Sequence, residues 1–209
     1  MNALSIAFMV AAGVAAVGNW VSVARHHQRG IYVSKPLTLL LMIGAAITLD
    51  PVSSSMRAWF LVALAFSLAG DVFLMLPTDA FIAGLASFLL AHVAYVVGIN
   101  QSSDGHWLLA IPVALVAAVL GNRLVRGIRA KGHPELVVPV AAYVLTILAM
   151  VSSAVASGNV VGAIGALLFM TSDALIGESR FVHARTWQPV AIMVTYHVAQ
   201  GLLVLSLTT

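Results

Sequence analysis

Apolar residues run through this chain in stretches of about twenty, each closed by charged, proline or glycine positions. A helix of that length crosses the hydrocarbon of a bilayer. Cutting at the polar clusters predicts spans at 3–24, 33–49, 58–76, 80–100, 107–125, 136–156, 160–177 and 187–207. A membrane β-strand would alternate apolar and polar residues, whereas Ala58 to Phe66 are apolar on both parities. The third and fourth spans meet through Pro77, Thr78 and Asp79, and the sixth and seventh through Ser157, Gly158 and Asn159, so each pair is antiparallel. The second of these joints is the weakest division, and fusing across it gives a seven-span alternative. The expectation is an all-α, polytopic membrane bundle of eight transmembrane helices, one domain over 1–209. Met1 to Trp20 lack a basic leader and a small-residue cleavage site. They read as a retained span and not a signal peptide.

Composition removes the soluble alternative. Of 209 residues, 61% are hydrophobic and 8% charged, with mean hydropathy +1.04, against about 25% charge in soluble domains. With no cysteine, disulfides, cysteine-held clusters and thiol catalysis are excluded. The formal charge of +3 becomes a topology signal once sorted by position. Arg25, Arg29 and Lys35 flank the first connection, Arg123, Arg126, Arg129 and Lys131 the fifth, and Arg180 and Arg185 the seventh, leaving Arg57 alone on the other side. The positive-inside rule then predicts basic connections in the cytoplasm and both termini outside, periplasmic for a bacterial inner membrane, to which the Ala, Val and Gly richness also points. These loops lack the aromatic and base-reading side chains that nucleic acid needs, so no nucleic-acid partner is expected.

Few ionisable residues fall inside the spans, and each is costly there unless paired or hydrated. Asp71 and Asp173 lie about five residues, or about 8 Å, from the basic end, and Lys35 lies two or three residues into its span. In the third span Ser67, Gly70, Asp71 and Leu74 share a face, and in the seventh Gly162, Gly165, Ala166, Phe169, Ser172 and Asp173 do. Stripes of Gly84, Phe88, His92 and Tyr95 and of Met193, Tyr196, His197 and Gln200 place two histidines deeper, with Tyr143 between the layers. The plain reading of the small residues is helix packing, of the tyrosines buried aromatics with satisfied hydroxyls, of Lys35 an interfacial anchor, and of either aspartate a structural salt bridge. Asp50, Asp79, Asp104, Glu135 and Glu178 fall in connections or at interfaces. A faint repeat, Gly70-Asp71 with Ser172-Asp173 and His92 with His197, sits four spans apart in the same orientation.

Two desolvated carboxylates cannot both ionise cheaply, so one holds a proton while the other is a base. That division suits acid–base hydrolysis. No Gly-x-Ser-x-Gly or His-Glu-x-x-His motif occurs, and spacing gives no support to a zinc site built from His92, His197 and an aspartate. No metal and no cofactor are expected. The rival readings are a proton- or ion-coupled transporter using the same aspartates, a metal-dependent membrane lipid hydrolase, and a protein without turnover.

At these residues the sequence resembles the YhhN-like family, the lysoplasmalogenases. The resemblance rests on Lys35-Pro36-Leu37, Gly70-Asp71 with Phe73, Leu74 and Met75, then Phe81, Gly84, Phe88, His92 and Tyr95, then Gly165, Phe169 and Ser172-Asp173, and last Tyr196 and Gln200. His197 departs from it, standing where a second tyrosine would be expected. The resemblance implies an eight-helix membrane enzyme that hydrolyses the vinyl ether of a lysoplasmalogen to a fatty aldehyde and a glycerophospho-base. Asp71 and Asp173 would be the acid and the second carboxylate, in either order. Substrate would be held by Lys35, His92, Tyr95, Tyr143, Ser172, Tyr196 and Gln200, with Lys35 on the phosphate and the alkenyl chain near Phe88 and Phe169.

Overall fold

The computed structural model describes residues 1–101, 105, 108 and 111–209. Eight helices follow in order: α1 Ala3–Ala24, α2 Gln28–Thr48, α3 Ser54–Met75, α4 Phe81–Ile99, α5 Ile111–Ala130, α6 Val137–Ala156, α7 Val160–Gly177 and α8 Gln188–Leu205. One 3-10 turn, Pro134–Leu136, leads into α6, and a π-helical turn, Glu178–Val182, continues α7. All eight are long and apolar enough to span a membrane. Gly158, at φ +75°, makes the tight turn that separates α6 from α7, so the seven-span alternative does not hold. Asp104 and the expected start of the fifth span at 107 lie outside the described residues.

Helix starts follow local chemistry. Asn2, Ser53 and Asn159 cap α1, α3 and α7, each side chain accepting a hydrogen bond from a backbone N–H of the first turn. Both termini lie at this end. Asn2 donates to the Thr48 carbonyl, Val52 N–H to Leu207 O at 2.9 Å, and Asn159 to Ser206 O at 3.1 Å. Arg57 belongs to this end as well, donating to the carbonyls of Ile47 and Leu49 that finish α2. Toward the other end lie the remaining lysines and arginines, and there the helices outrun the apolar stretches: α2 starts at Gln28 instead of 33 and α5 runs to Ala130 instead of 125. Charged side chains at a membrane interface extend a helix without adding to its apolar run.

Helices α2, α3, α4, α6, α7 and α8 close a ring, each packed on the next and α8 back on α2. Outside the ring α1 lies on α2, and α5 lies on α6. The neighbour pattern of the first four helices thus recurs in the last four, as the faint sequence repeat implied: α3 packs on α4 as α7 does on α8, and α4 meets α6 as α8 meets α2. The two halves differ in their outer helices. Helix α1 also packs on α8, while α5 packs on the π-helical turn after α7 and stands off from α4. The main core fills the ring with Phe60, Leu64, Tyr95, Met150, Phe169 and Leu203, and a smaller cluster of Phe81, Leu124, Ile128, Val140 and Phe181 joins α5 to the basic end.

Candidate active site

Asp71 sits on the inner face of α3, 1% exposed, where Gly70 lets α4 come close: a Cβ on Gly70 would fall 2.7 Å from the Phe88 ring. Its Oδ1 lies 3.0 Å from Lys35 Nζ, and its Oδ2 accepts the Tyr196 hydroxyl at 2.8 Å. Gln200 Nε2 reaches the Tyr196 oxygen at 3.5 Å and Gln200 Oε1 accepts the Tyr95 hydroxyl at 2.6 Å. Lys35, Asp71, Tyr196, Gln200 and Tyr95 thus form one chain across α2, α3, α8 and α4. Because α2 begins earlier than its apolar run, Lys35 lies two turns inside the helix and is buried. A buried charge must be paired and hydrogen-bonded, and Asp71 meets that condition through a one-to-one partner.

Asp173 has a different environment. Its Oδ2 accepts the Tyr143 hydroxyl at 2.7 Å and lies 3.5 Å from His92 Nε2. His92 Nδ1 is 2.6 Å from the Phe88 carbonyl oxygen, which can only accept, so that nitrogen carries the hydrogen. Nε2 then presents a lone pair to a carboxylate oxygen unless a proton lies between them. At 3.5 Å that nitrogen makes no hydrogen bond with Asp173 and is a buried polar atom without a partner among the described residues. The two aspartates repeat a pattern with different chemistry: Asp71 receives partners from α2 and α8, Asp173 from α6 and α4.

The aromatic rings of Phe88 and Phe169 separate the two groups, with Phe169 4.7 Å from the His92 ring and 5.4 Å from Tyr196 between centroids. Beside Asp173 lies a narrow apolar cavity of about 70 Å³. It fills the seam between α4 and α6 where α5 stands off. Phe88, Leu85, Ala117, Leu120, Tyr143 and Met170 are among its walls, and Asp173 is its one carboxylate among the described residues. Asp71, Lys35, Tyr95, Tyr196, Gln200 and Phe169 do not line it. Ser172 faces α8 and donates to Ile192 O at 3.1 Å. His197 accepts from Trp20 Nε1 at 3.1 Å, on the sealed seam between α1 and α8, so the two histidines serve different partners, and no cluster of three or more His, Asp or Glu forms among the described residues.

The YhhN family model matches residues 30–207. The chain belongs to the YhhN family. It is 31% identical over 174 residues, 79% of its length, to a lysoplasmalogenase of Mycobacterium bovis, and 36% identical over 148 residues, 69% of its length, to human lysoplasmalogenase TMEM86B. These matches cover 66% and 61% of those relatives, so the chain spans a little under two thirds of their length. No solved structure matches.

At the basic end of this YhhN-family bundle, the cavity wall adjoins charged side chains that the sequence pattern assigned to topology or to connections. Phe81 and Phe181, 5.7 Å apart edge to face, are part of its wall. Arg180 lies over Phe81 with Cζ 4.0 Å from the ring centroid, and its Nη2 donates to both oxygens of Asp79 at 3.1 and 2.9 Å. The Arg180 guanidinium holds the Asp79 carboxyl below the usual carboxylate range, so the pair stays ionised at neutral pH and is lost only as pH falls through that lowered value. Arg123 grips Glu178 through two hydrogen bonds of 2.8 and 2.6 Å, and Lys131 donates to the Arg180 carbonyl at 2.8 Å. Arg180 escaped the sequence reading because an arginine beside a span is the ordinary mark of orientation.

Proposed function

We infer that the protein hydrolyses the vinyl ether bond of a lysoplasmalogen, releasing a fatty aldehyde and glycerophosphoethanolamine or glycerophosphocholine. The observation that carries this reading is Asp173, a carboxyl hydrogen-bonded by Tyr143 on the wall of a cavity otherwise apolar. The names of the relatives supply the bond class. A vinyl ether is cleaved by protonating its β-carbon, which turns the α-carbon and ether oxygen into an oxocarbenium ion. Asp173 gives that proton, with Tyr143 holding its carboxyl in place. The carboxylate left behind stabilises the cation and takes a proton from water as the water oxygen bonds to the α-carbon. The resulting hemiacetal breaks its bond to the glycerol oxygen, which leaves with a proton, and the aldehyde remains.

Asp71 is the second carboxylate of this scheme. Ionised beside Lys35, it is a fixed charge behind the aromatic pair, and through Tyr196 and Gln200 it holds the inner faces of α8 and α4 in register. The alkenyl chain lies in the cavity against Phe88, with Phe169 behind it. In a bacterial inner membrane the basic end of the bundle faces the cytoplasm and both termini face the periplasm, so substrate is drawn from the cytoplasmic leaflet.

The test is aldehyde release from lysoplasmalogen by protein purified in detergent, where a transporter would form no product. Asp173→Asn removes the donated proton and leaves the shape. It is expected to slow turnover by about 10²–10⁴-fold with an unchanged melting temperature. A near-wild-type rate for D173N would exclude Asp173 as the acid.

A further inference from the structure

Beside Phe81, at the basic end of the cavity wall, lies a cation with unfilled donors. Arg180 spends Nη2 on Asp79, while Nε and Nη1 have no hydrogen-bond partner among the described residues. Its guanidinium lies over Phe81, a ring that itself lines the cavity, and it is 37% exposed. Asp173 lies seven residues earlier on the same continuous helix, about 10 Å along its axis. A glycerophosphate group and an arginine side chain together bridge that span. Lys35 lacks these properties: it is buried and ion-paired with Asp71 at 3.0 Å.

We propose that Arg180 is the phosphate-binding residue of a single-chain phospholipid whose hydrocarbon tail occupies the α4–α5–α6 cavity. The inference rests on the reading of that cavity as the lipid-chain site. Planar guanidinium donors suit a phosphodiester oxygen pair better than an ammonium does. Asp79 fixes the fork through one nitrogen and leaves the other two without a partner among the described residues. Phe81 beneath it gives the cation a second attraction and excludes water on that side. A lipid held this way keeps its ordinary orientation, with headgroup at the basic rim, tail toward the middle of the bundle and glycerol ether beside Asp173.

Binding separates this site from turnover. The probes are lysophosphatidylethanolamine, an ester lipid without the vinyl ether, and a monoacylglycerol of the same chain, each titrated into detergent-solubilised protein and read by native mass spectrometry. Arg180→Gln is expected to weaken lysophosphatidylethanolamine binding by about tenfold and leave monoacylglycerol binding unchanged. Arg129→Gln, removing an exposed arginine at the same end, should change neither. Equal losses for both lipids, no loss for either, or an equal loss in R129Q would each overturn the proposal. Where R180Q does not fold, Arg180→Lys keeps the charge without the fork, and unchanged affinity for the phospholipid in that variant would overturn it equally. A wild-type protein that binds both lipids yet releases no aldehyde from lysoplasmalogen would defeat the hydrolase reading and leave the phosphate site standing.

Discussion

Asp71 and Asp173 are the same side chain in two half-bundles that share a neighbour pattern, and their neighbours make them different groups. Asp71 has an ammonium 3.0 Å away and 1% exposure, Asp173 a tyrosine, a histidine and 11% exposure on a cavity wall. The first is an ion pair whose partners depend on each other. Lys35→Met alone strands a buried carboxylate, and such a loss costs about 3–5 kcal/mol, whereas the double change Lys35→Met with Asp71→Leu removes both charges and should recover most of the stability. Thermal unfolding of the single and double variants in detergent checks this. Additive losses would mean that the two side chains do not interact. Sequence pattern found both aspartates and most of their partners, since an ionisable residue in a span is rare enough to be noticed. It could not sort them, because a helical face shows which residues point inward but not which neighbour each one meets.

At the level of helices, small residues decide how near two inner faces come. Gly70 brings α3 against the Phe88 ring, and that ring is both the partition between the aspartates and a wall of the cavity. Gly70→Val would drive branched carbons into Phe88 and is expected to destabilise the protein by about 1–3 kcal/mol, lowering its melting temperature and displacing the cavity wall. A variant that melted with the wild type would show that α3 and α4 tolerate separation there. Helix number and order followed from the apolar runs with one joint left open, between the sixth and seventh spans, and among the described residues the bounds differ at the interfacial ends. Lys35 shows the consequence: placed near the start of a short span it reads as an anchor, but five more residues of α2 precede it and carry it into the bundle. Charged and glycine positions such as Arg29 and Gly30 hide that first turn from a hydropathy reading.

For the whole molecule, the difference between α1 and α5 creates the site. Both lie outside the ring at corresponding seams. Helix α1 seals its seam, with Trp20 reaching His197 and Met193, while α5 packs on α6 and the π-helical turn and leaves a cavity over Asp173. Filling that space from α5 should therefore act on the lipid tail. Ala117→Phe, on the cavity wall, is expected to weaken binding of long-chain lysolipids more than short-chain ones, and Val119→Phe, on the exposed face of α5, to do neither. Equal affinities across chain lengths in A117F would remove the cavity as the tail site.

The sequence by itself determined an eight-helix membrane protein, its basic end, the inward stripes and the short set of buried ionisable groups, because these follow from helix length, side-chain period and the cost of charge in hydrocarbon. The tertiary structure decided which aspartate is neutralised by Lys35, which one lines the cavity beside Tyr143, and that Arg180 stacks on Phe81 of the cavity wall. Those outcomes depend on contacts between helices far apart in the chain, and on how closely α5 approaches the ring, which no local periodicity records.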